Sequence, residues 1–210
     1  MARPRAADHA DKREAMLDRA AELFAAHGYD RTSIAMIAET LGVSKGLLYH
    51  YYRDKQALLF DVLARHLQRL VEVAREAAED GASPRARLES VAVALLEAYR
   101  DADAVHQVQI ACLGLLPAER QEALKALERA LVAQVAAILR DLSPELRADG
   151  RLLKPATMSF FAMLNWHYLW HREGAGLSRC DYARLAAALV AEGLPGAAAT
   201  LREGAPQTAS

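Results

Sequence analysis

Residues 32–58 read TSIAMIAETLGVSKGLLYHYYRDKQAL. Ile34, Ile37, Ala38 and Leu41 fall at the i, i+3, i+4, i+7 spacing of one helical face, behind Thr32 or Ser33, whose hydroxyls suit an N-cap. Gly42-Val43 makes a tight turn, and Ser44 caps a third helix of about two turns. On that helix Leu48 and Tyr52 share a face and pack inward with Val43, which leaves Lys45, Gly46, Tyr49 and His50 on other faces. Two short helices joined by a glycine turn match the helix-turn-helix plan, in which the second helix enters the DNA major groove. Gly46 adds no side-chain bulk and allows close backbone approach. Lys55 stands at the start of a fourth helix, beside exposed N–H groups, where it suits a phosphate. Each residue also has a plainer reading: Tyr49, Tyr51 and Tyr52 as rim or core aromatics, Lys45 and Lys55 as solvated lysines.

Working outward, almost every segment reads as helix, because Ala, Leu, Glu and Arg dominate and no sustained period-two alternation interrupts them. A first helix runs from about Asp11 to His27, with Leu17, Ala20, Ala21 and Phe24 on one face and Gly28 placed to stop it. The fourth helix, capped by Asp54, continues to about Ala78. Further helical runs lie at about 84–100, 103–114, 117–141, 152–173 and 178–193, divided by Pro, Gly, Ser and Asp clusters. After Leu194 the composition turns to Pro, Gly, Ala, Thr and Ser, which reads as a disordered tail. The expected organisation is all-α: residues 9–55 as a three-helix DNA-binding domain, 56–194 as a helical bundle for effector binding and dimerisation, and 195–210 as the tail.

Composition narrows the class without choosing the function. The formal net charge is -1, and residues 1–55 hold nine Lys/Arg against eight Asp/Glu, so a DNA-binding reading rests on where charges sit. Cys112 and Cys180 lie far apart without metal-ligand spacing, which points to a reducing cytoplasm. The most apolar stretch, 156–169, is broken by Asn165 and His167 and is too short for a membrane span. No phosphate-binding glycine loop, nucleophile elbow or metal-binding His-Glu pattern is present, so no enzyme, cofactor or metal is expected.

From Ser33 to Leu58 the segment resembles the N-terminal domain of the TetR family, whose pattern is Thr-x-x-x-Ile-Ala-x-x-x-Gly-Val-Ser-x-Gly-x-Leu-Tyr-x-(His/Tyr)-(Phe/Tyr)-x-x-Lys-x-x-Leu. Ser33 stands at the Thr position, and Tyr52 where Phe is commoner. The resemblance implies a homodimeric repressor that binds double-stranded operator DNA, with an effector pocket in an all-helical C-terminal domain. Carried over residue by residue, it implies DNA-facing roles for Ser44, Lys45, Gly46, Leu47, Tyr49, His50, Tyr51 and Lys55. Leu47 would read a thymine methyl or merely pack.

Both tryptophans and two of the four phenylalanines fall within residues 160–170. On a continuous helix they form three stripes: Phe160, Leu164, His167 and His171; Phe161, Asn165, Tyr168 and Arg172; Met163, Trp166 and Trp170. Such a helix is surrounded by protein, and its polar members need partners, across a two-fold axis or in a ligand. Core packing is the plain reading for most of these residues. Residues 160–194 also resemble the C-terminal ends of TetR regulators that sense acyl-coenzyme A thioesters, through Leu164-Asn165-Trp166, Trp170, Arg172, Gly174-Ala175-Gly176 and Leu177-Ser178. That resemblance implies an effector such as phenylacetyl-coenzyme A, bound by Phe161, Asn165, Trp166, Tyr168 and Arg172. His106 and Gln109, on a mostly apolar helix, border the expected pocket or serve only the core or surface. A repressor of drug efflux sensing an aromatic drug-like ligand is the alternative; helix 152–173 offers no carboxylate before Glu173, which disfavours it. His167 and His171, at i, i+4, could hold a metal but lack a third ligand nearby.

Overall fold

A computed structural model describes residues 4–203 apart from Asp80, Asp101, Asp149 and Glu173. Its elements are α1 (Pro4–His27), α2 (Ile34–Thr40), α3 (Lys45–Tyr51), α4 (Lys55–Glu79), α5 (Pro84–Ala98), α6 (Asp103–Cys112), α7 (Ala118–Leu142), α8 (Pro144–Ala148), α9 (Leu153–Asn165), α10 (His167–Trp170) and α11 (Arg179–Glu203), with a 3-10 turn at Leu113–Leu115. The class is all-α, as expected, with no strand among the described residues. Two compact units emerge: Met1–Arg69 with Asp101–Leu127, and Leu70–Arg100 with Glu128–Ser210.

In the first unit, local chemistry sets the end of α1 and the starts of α2 and α3. Gly28 closes α1: its N–H donates to the Phe24 carbonyl at 2.9 Å, at φ +82, a left-handed conformation that a Cβ would penalise. Thr32 turns inward, its hydroxyl shared between the carbonyls of Leu23 and Gly28 at 3.0 and 2.9 Å. Ser33 is therefore the cap of α2, accepting from the Met36 N–H at 3.1 Å. Gly42, at φ +66, turns the chain, and Ser44 caps α3 by accepting from the Leu47 N–H at 3.2 Å. Leu17, Ala20 and Phe24 of α1, Ile37 of α2 and Leu48 of α3 close over Leu58, Leu59, Val62 and Leu63 of α4, with Val108 and Cys112 of α6. The first helix starts earlier than expected, at Pro4, where a proline forfeits no internal hydrogen bond.

In the second unit, packing overrides local signals. α5 and α11 run against each other through Leu88, Val91, Ala92 and Leu95 on one side and Ala183, Ala186 and Ala187 on the other. Ion pairs Arg85–Glu192 (2.7 Å) and Arg184–Glu89 (3.1 Å) border the contact. The helix expected at 152–173 breaks at Trp166, whose backbone relaxes to φ -94, ψ 0. Gly174 and Gly176, at φ +78 and +81, form the following turn, and Ser178 caps α11 by accepting from the Asp181 N–H at 3.0 Å. The disordered tail expected from residue 195 is corrected: α11 continues through Pro195 to Glu203. Ala198 is buried, and Ala197 and Leu201 border, with Leu152 and Pro155, a groove beside the start of α9, so the helix runs on despite the low propensity of Pro195 and Gly196. Residues 204–210 lie outside the described residues.

Candidate nucleic-acid interface and effector region

α3 has seven residues, and Leu48 is its one buried side chain. Tyr52, which ends the helix, is buried beside it, so the inner face is fixed by an i, i+4 pair. Ser44, Lys45, Gly46, Tyr49 and His50 are exposed together on the outer face. Lys45 places its ammonium 5.7 Å from the Tyr49 ring centre, one helical turn away, which limits the freedom of both. A Cβ at Gly46 would meet nothing nearer than Ser44 Oγ at 3.9 Å, so internal packing does not demand glycine there. Leu47 and Tyr51 are half-buried, and Leu47 packs against the core. The expected DNA-facing residues of α3 thus occupy one helix, with Leu47 turned partly inward.

Lys55 is held by backbone carbonyls of the first unit. Its ammonium donates to the carbonyls of Tyr29 (2.7 Å), Thr32 (2.9 Å) and, at 3.4 Å, Asp30, and lies 4.2 Å from the Tyr29 ring centre. An ammonium has three donors, and three carbonyls face this one. Lys55 thus ties the start of α4 to the α1–α2 loop. Nearby, Asp54 caps α4, accepting from the Ala57 N–H at 2.6 Å. Burial raises the Asp54 carboxyl, but that bond and the Arg53 guanidinium outweigh it and hold the group below the usual carboxylate range. One neighbour of the outer face of α3 carries no signal in the sequence: the His9 ring, on the early start of α1, lies against Tyr51 at a tilt of 33°, with ring centres 4.4 Å apart.

The expected effector residues divide between the two units. Phe161 is buried in the core of the second unit, edge-on to Phe160 at 5.7 Å. Asn165 is half-buried, and its Oδ1 accepts from the Tyr99 hydroxyl at 2.9 Å, so one of its partners lies within its own chain. Trp166 is 52% exposed, Tyr168 half-buried and Arg172 exposed. His106 and Gln109 lie on α6 in the first unit, and the other five belong to the second. The break at Trp166 still leaves the stripe Phe160, Leu164 and His167 buried. His167 is stacked between His171 (4.2 Å) and Tyr182 (4.7 Å), with neither ring nitrogen hydrogen-bonded. Burial first, then His171 and Arg179, pushes its pKa down to about 4. Tyr99 and Tyr182, the partners that organise this region, carry no sequence signal, because each meets its contact only through the tertiary fold.

Between α9 and α11 lies an apolar groove of about 400 Å³, lined by Leu152, Pro155, Met163, Leu189, Leu194 and Leu201 among others. The small residues Ala183, Ala186 and Ala187 are buried against α5, whereas Leu185, Leu189 and Leu201 are exposed. No helix among the described residues is long and apolar enough to cross a membrane. No group of three or more metal-ligating side chains occurs among them either.

Comparison with known proteins places both halves. Residues 16–62 match the model of bacterial regulatory proteins of the tetR family, and residues 81–194 match the tetracyclin repressor-like C-terminal domain. A TetR-family transcriptional regulator from Bordetella parapertussis 12822 has 35% identity and a TM-score of 0.78, over 85% of this chain and 93% of that one. The transcriptional repressor KstR2 of Rhodococcus jostii is 35% identical over 95 residues, 45% of each chain. The structure of AibR in complex with isovaleryl coenzyme A and operator DNA shares the fold at 21% identity, with a TM-score of 0.70 over 84% of this chain and 96% of that one. The chain spans between about a third and a half of the length of the curated relatives it matches. The matched relatives are transcriptional regulators and not enzymes. With more than half of its length matched by the C-terminal model and the helix-turn-helix matched by the N-terminal one, the chain belongs to the TetR family of bacterial regulatory proteins.

Proposed function

We propose that this protein is a dimeric cytoplasmic repressor that binds a palindromic operator through α3 of each protomer and is released by an acyl-coenzyme A, phenylacetyl-coenzyme A foremost. The observation that carries the DNA-binding reading is the outer face of α3. Lys45, Gly46, Tyr49 and His50 are exposed together over an anchored inner face, and Gly46 has no internal reason to be glycine. A two-fold dimer presents two such helices, and the matching operator is a palindrome. Dimerisation is supported by the exposed leucines of α11 and the apolar groove they border, a surface that a second copy would cover.

The effector reading is supported by the likeness of residues 160–194 to acyl-coenzyme A sensors and by the fold shared with a protein solved with isovaleryl coenzyme A. Trp166 and Tyr168 offer aromatic surface, and Arg151, Lys154 and Arg172 offer cations for phosphates. An effector releases DNA only as far as it binds the released form more tightly than the bound one. The test is calorimetry with phenylacetate, coenzyme A and a panel of acyl thioesters, alongside release of a bound operator duplex. Thioester binding with release supports the reading. Binding of the free acid alone, or release by no thioester, overturns the effector assignment and leaves DNA binding standing.

A further inference from the structure

α3 is short, and a helix under two full turns has little stability of its own. Its placement depends on side chains that hold it from outside. Leu48 and Tyr52 fix the inner face. The last turn carries a further contact, from a residue outside the helix-turn-helix segment. The His9 ring of α1 stacks on Tyr51 at 4.4 Å with 33° between the planes, and His50 meets the same tyrosine edge-on at 5.8 Å and 90°. α1 is itself held to α4: Arg13 donates to Asp61 at 2.6 Å, and the Arg65 guanidinium forks between Glu14 and Asp18. The stack is therefore anchored at its far end, and all these residues belong to the first unit.

We propose that His9 is a positioning residue for the DNA-reading face of α3: by stacking on Tyr51 it holds the end of the helix in the orientation that presents Tyr49 and His50 outward. This rests on the reading of α3 as the recognition helix. The contact is between two tilted rings 4.4 Å apart, so a flat hydrophobic ring in place of the imidazole preserves it, whereas a contact from His9 to a DNA phosphate requires the imidazole nitrogens. That difference separates the brace from a direct phosphate contact.

The experiment compares wild type, His9→Ala and His9→Phe by fluorescence anisotropy on a duplex that the wild-type protein selects from a random-sequence pool. His9→Ala is expected to bind about two- to tenfold more weakly, the scale of one aromatic pair. The slope of log affinity against log salt stays unchanged, because no phosphate contact is removed. His9→Phe is expected to restore wild-type affinity. In the free protein, the Tyr51 ring resonances should move in His9→Ala and return toward their wild-type positions in His9→Phe. Wild-type affinity in His9→Ala would overturn the proposal, as would a loss that His9→Phe does not rescue and that lowers the salt slope by about one. If the wild-type protein selects no duplex, the DNA-binding reading fails, and the Tyr51 resonances still decide whether the stack exists.

Discussion

The two compact units are built by different rules. In the first, local signals bound the helix-turn-helix, with a left-handed glycine after α1 and side-chain caps before α2 and α3, and local spacing names Leu17, Phe24, Ile37 and Leu48 among its core. In the second, a regular apolar pattern bends at Trp166, and a helix passes through Pro195 because its far turns find something to pack against. The difference follows from how many contacts each element makes close in sequence. Short helices with polar outer faces depend on caps and turns; long apolar helices take the shape their neighbours impose. In the first unit the useful chemistry lies on the surface, and in the second on contacts made far along the chain.

The sharpest way to break this contrast is at the exposed face of the second unit. Leu189 is 56% exposed beside the α9–α11 groove. Leu189→Arg is expected to sediment as a monomer and to bind a palindromic duplex about a hundredfold more weakly or worse, because the second half-site is no longer tethered to the first. A Leu189→Arg protein that stays a dimer with full affinity would remove this face from the interface.

Next in size is the buried histidine of the second unit. In the folded chain His167 is held neutral with a pKa of about 4, while an unfolded histidine takes up its proton near 6.5. Below about pH 6.5 the unfolded state therefore binds more protons; the stability is complete above that pH and is lost as pH falls toward 4. His66 in the first unit, also pushed down to about 4 by burial and then by His106, Arg65 and Arg69, adds a loss of the same sign. His167→Phe, which removes two buried nitrogens without hydrogen bonds, is expected to recover about 1–3 kcal/mol at pH 4.5 relative to pH 7.5 in urea unfolding. The remaining acid loss then includes the His66 part. An unchanged pH dependence would show that His167 is hydrated in the folded protein.

Lys55 tests the first unit. Lys55→Met is expected to lower stability by about 1–2 kcal/mol through loss of its carbonyl bonds. It should also leave the salt slope of DNA binding intact, whereas loss of a phosphate contact lowers that slope by about one. The smallest effect is expected at Gly46. Gly46→Ala should stabilise the fold by up to about 1 kcal/mol, since alanine favours the helix. The same change should weaken operator binding by placing a methyl where DNA approaches. Stabilisation with unaltered affinity would show that no DNA backbone comes close at this position.

Much of this was legible in the amino-acid order, and unevenly so. Ser33, Gly42, Ser44 and Leu48 announce the helix-turn-helix because capping, turn geometry and helical spacing act within a few residues. Lys55 is legible as a residue at the start of α4, but its bonds to the carbonyls of Tyr29 and Thr32 are not, since that loop lies more than twenty positions away. Asn165 was recognised as a polar group needing a partner, and the partner, Tyr99, stands 66 positions back in the chain. His106 and Gln109 belong to the first unit and the other expected effector residues to the second, a division that a helical pattern alone does not tell. The wheel for residues 152–173 assumed an unbroken helix, and it held best for the buried stripe that spans the break.

The most direct test of the DNA-binding claim is a footprint on a duplex selected by the wild-type protein, with methylation interference at guanine N7 to report major-groove contact. The expected result is two symmetric protected half-sites with interference inside each, lost in a Lys45→Ala, Tyr49→Ala protein that still folds and dimerises. A footprint without two-fold symmetry, or a symmetric one that survives loss of both side chains and shows no major-groove interference, would contradict α3 as the recognition helix.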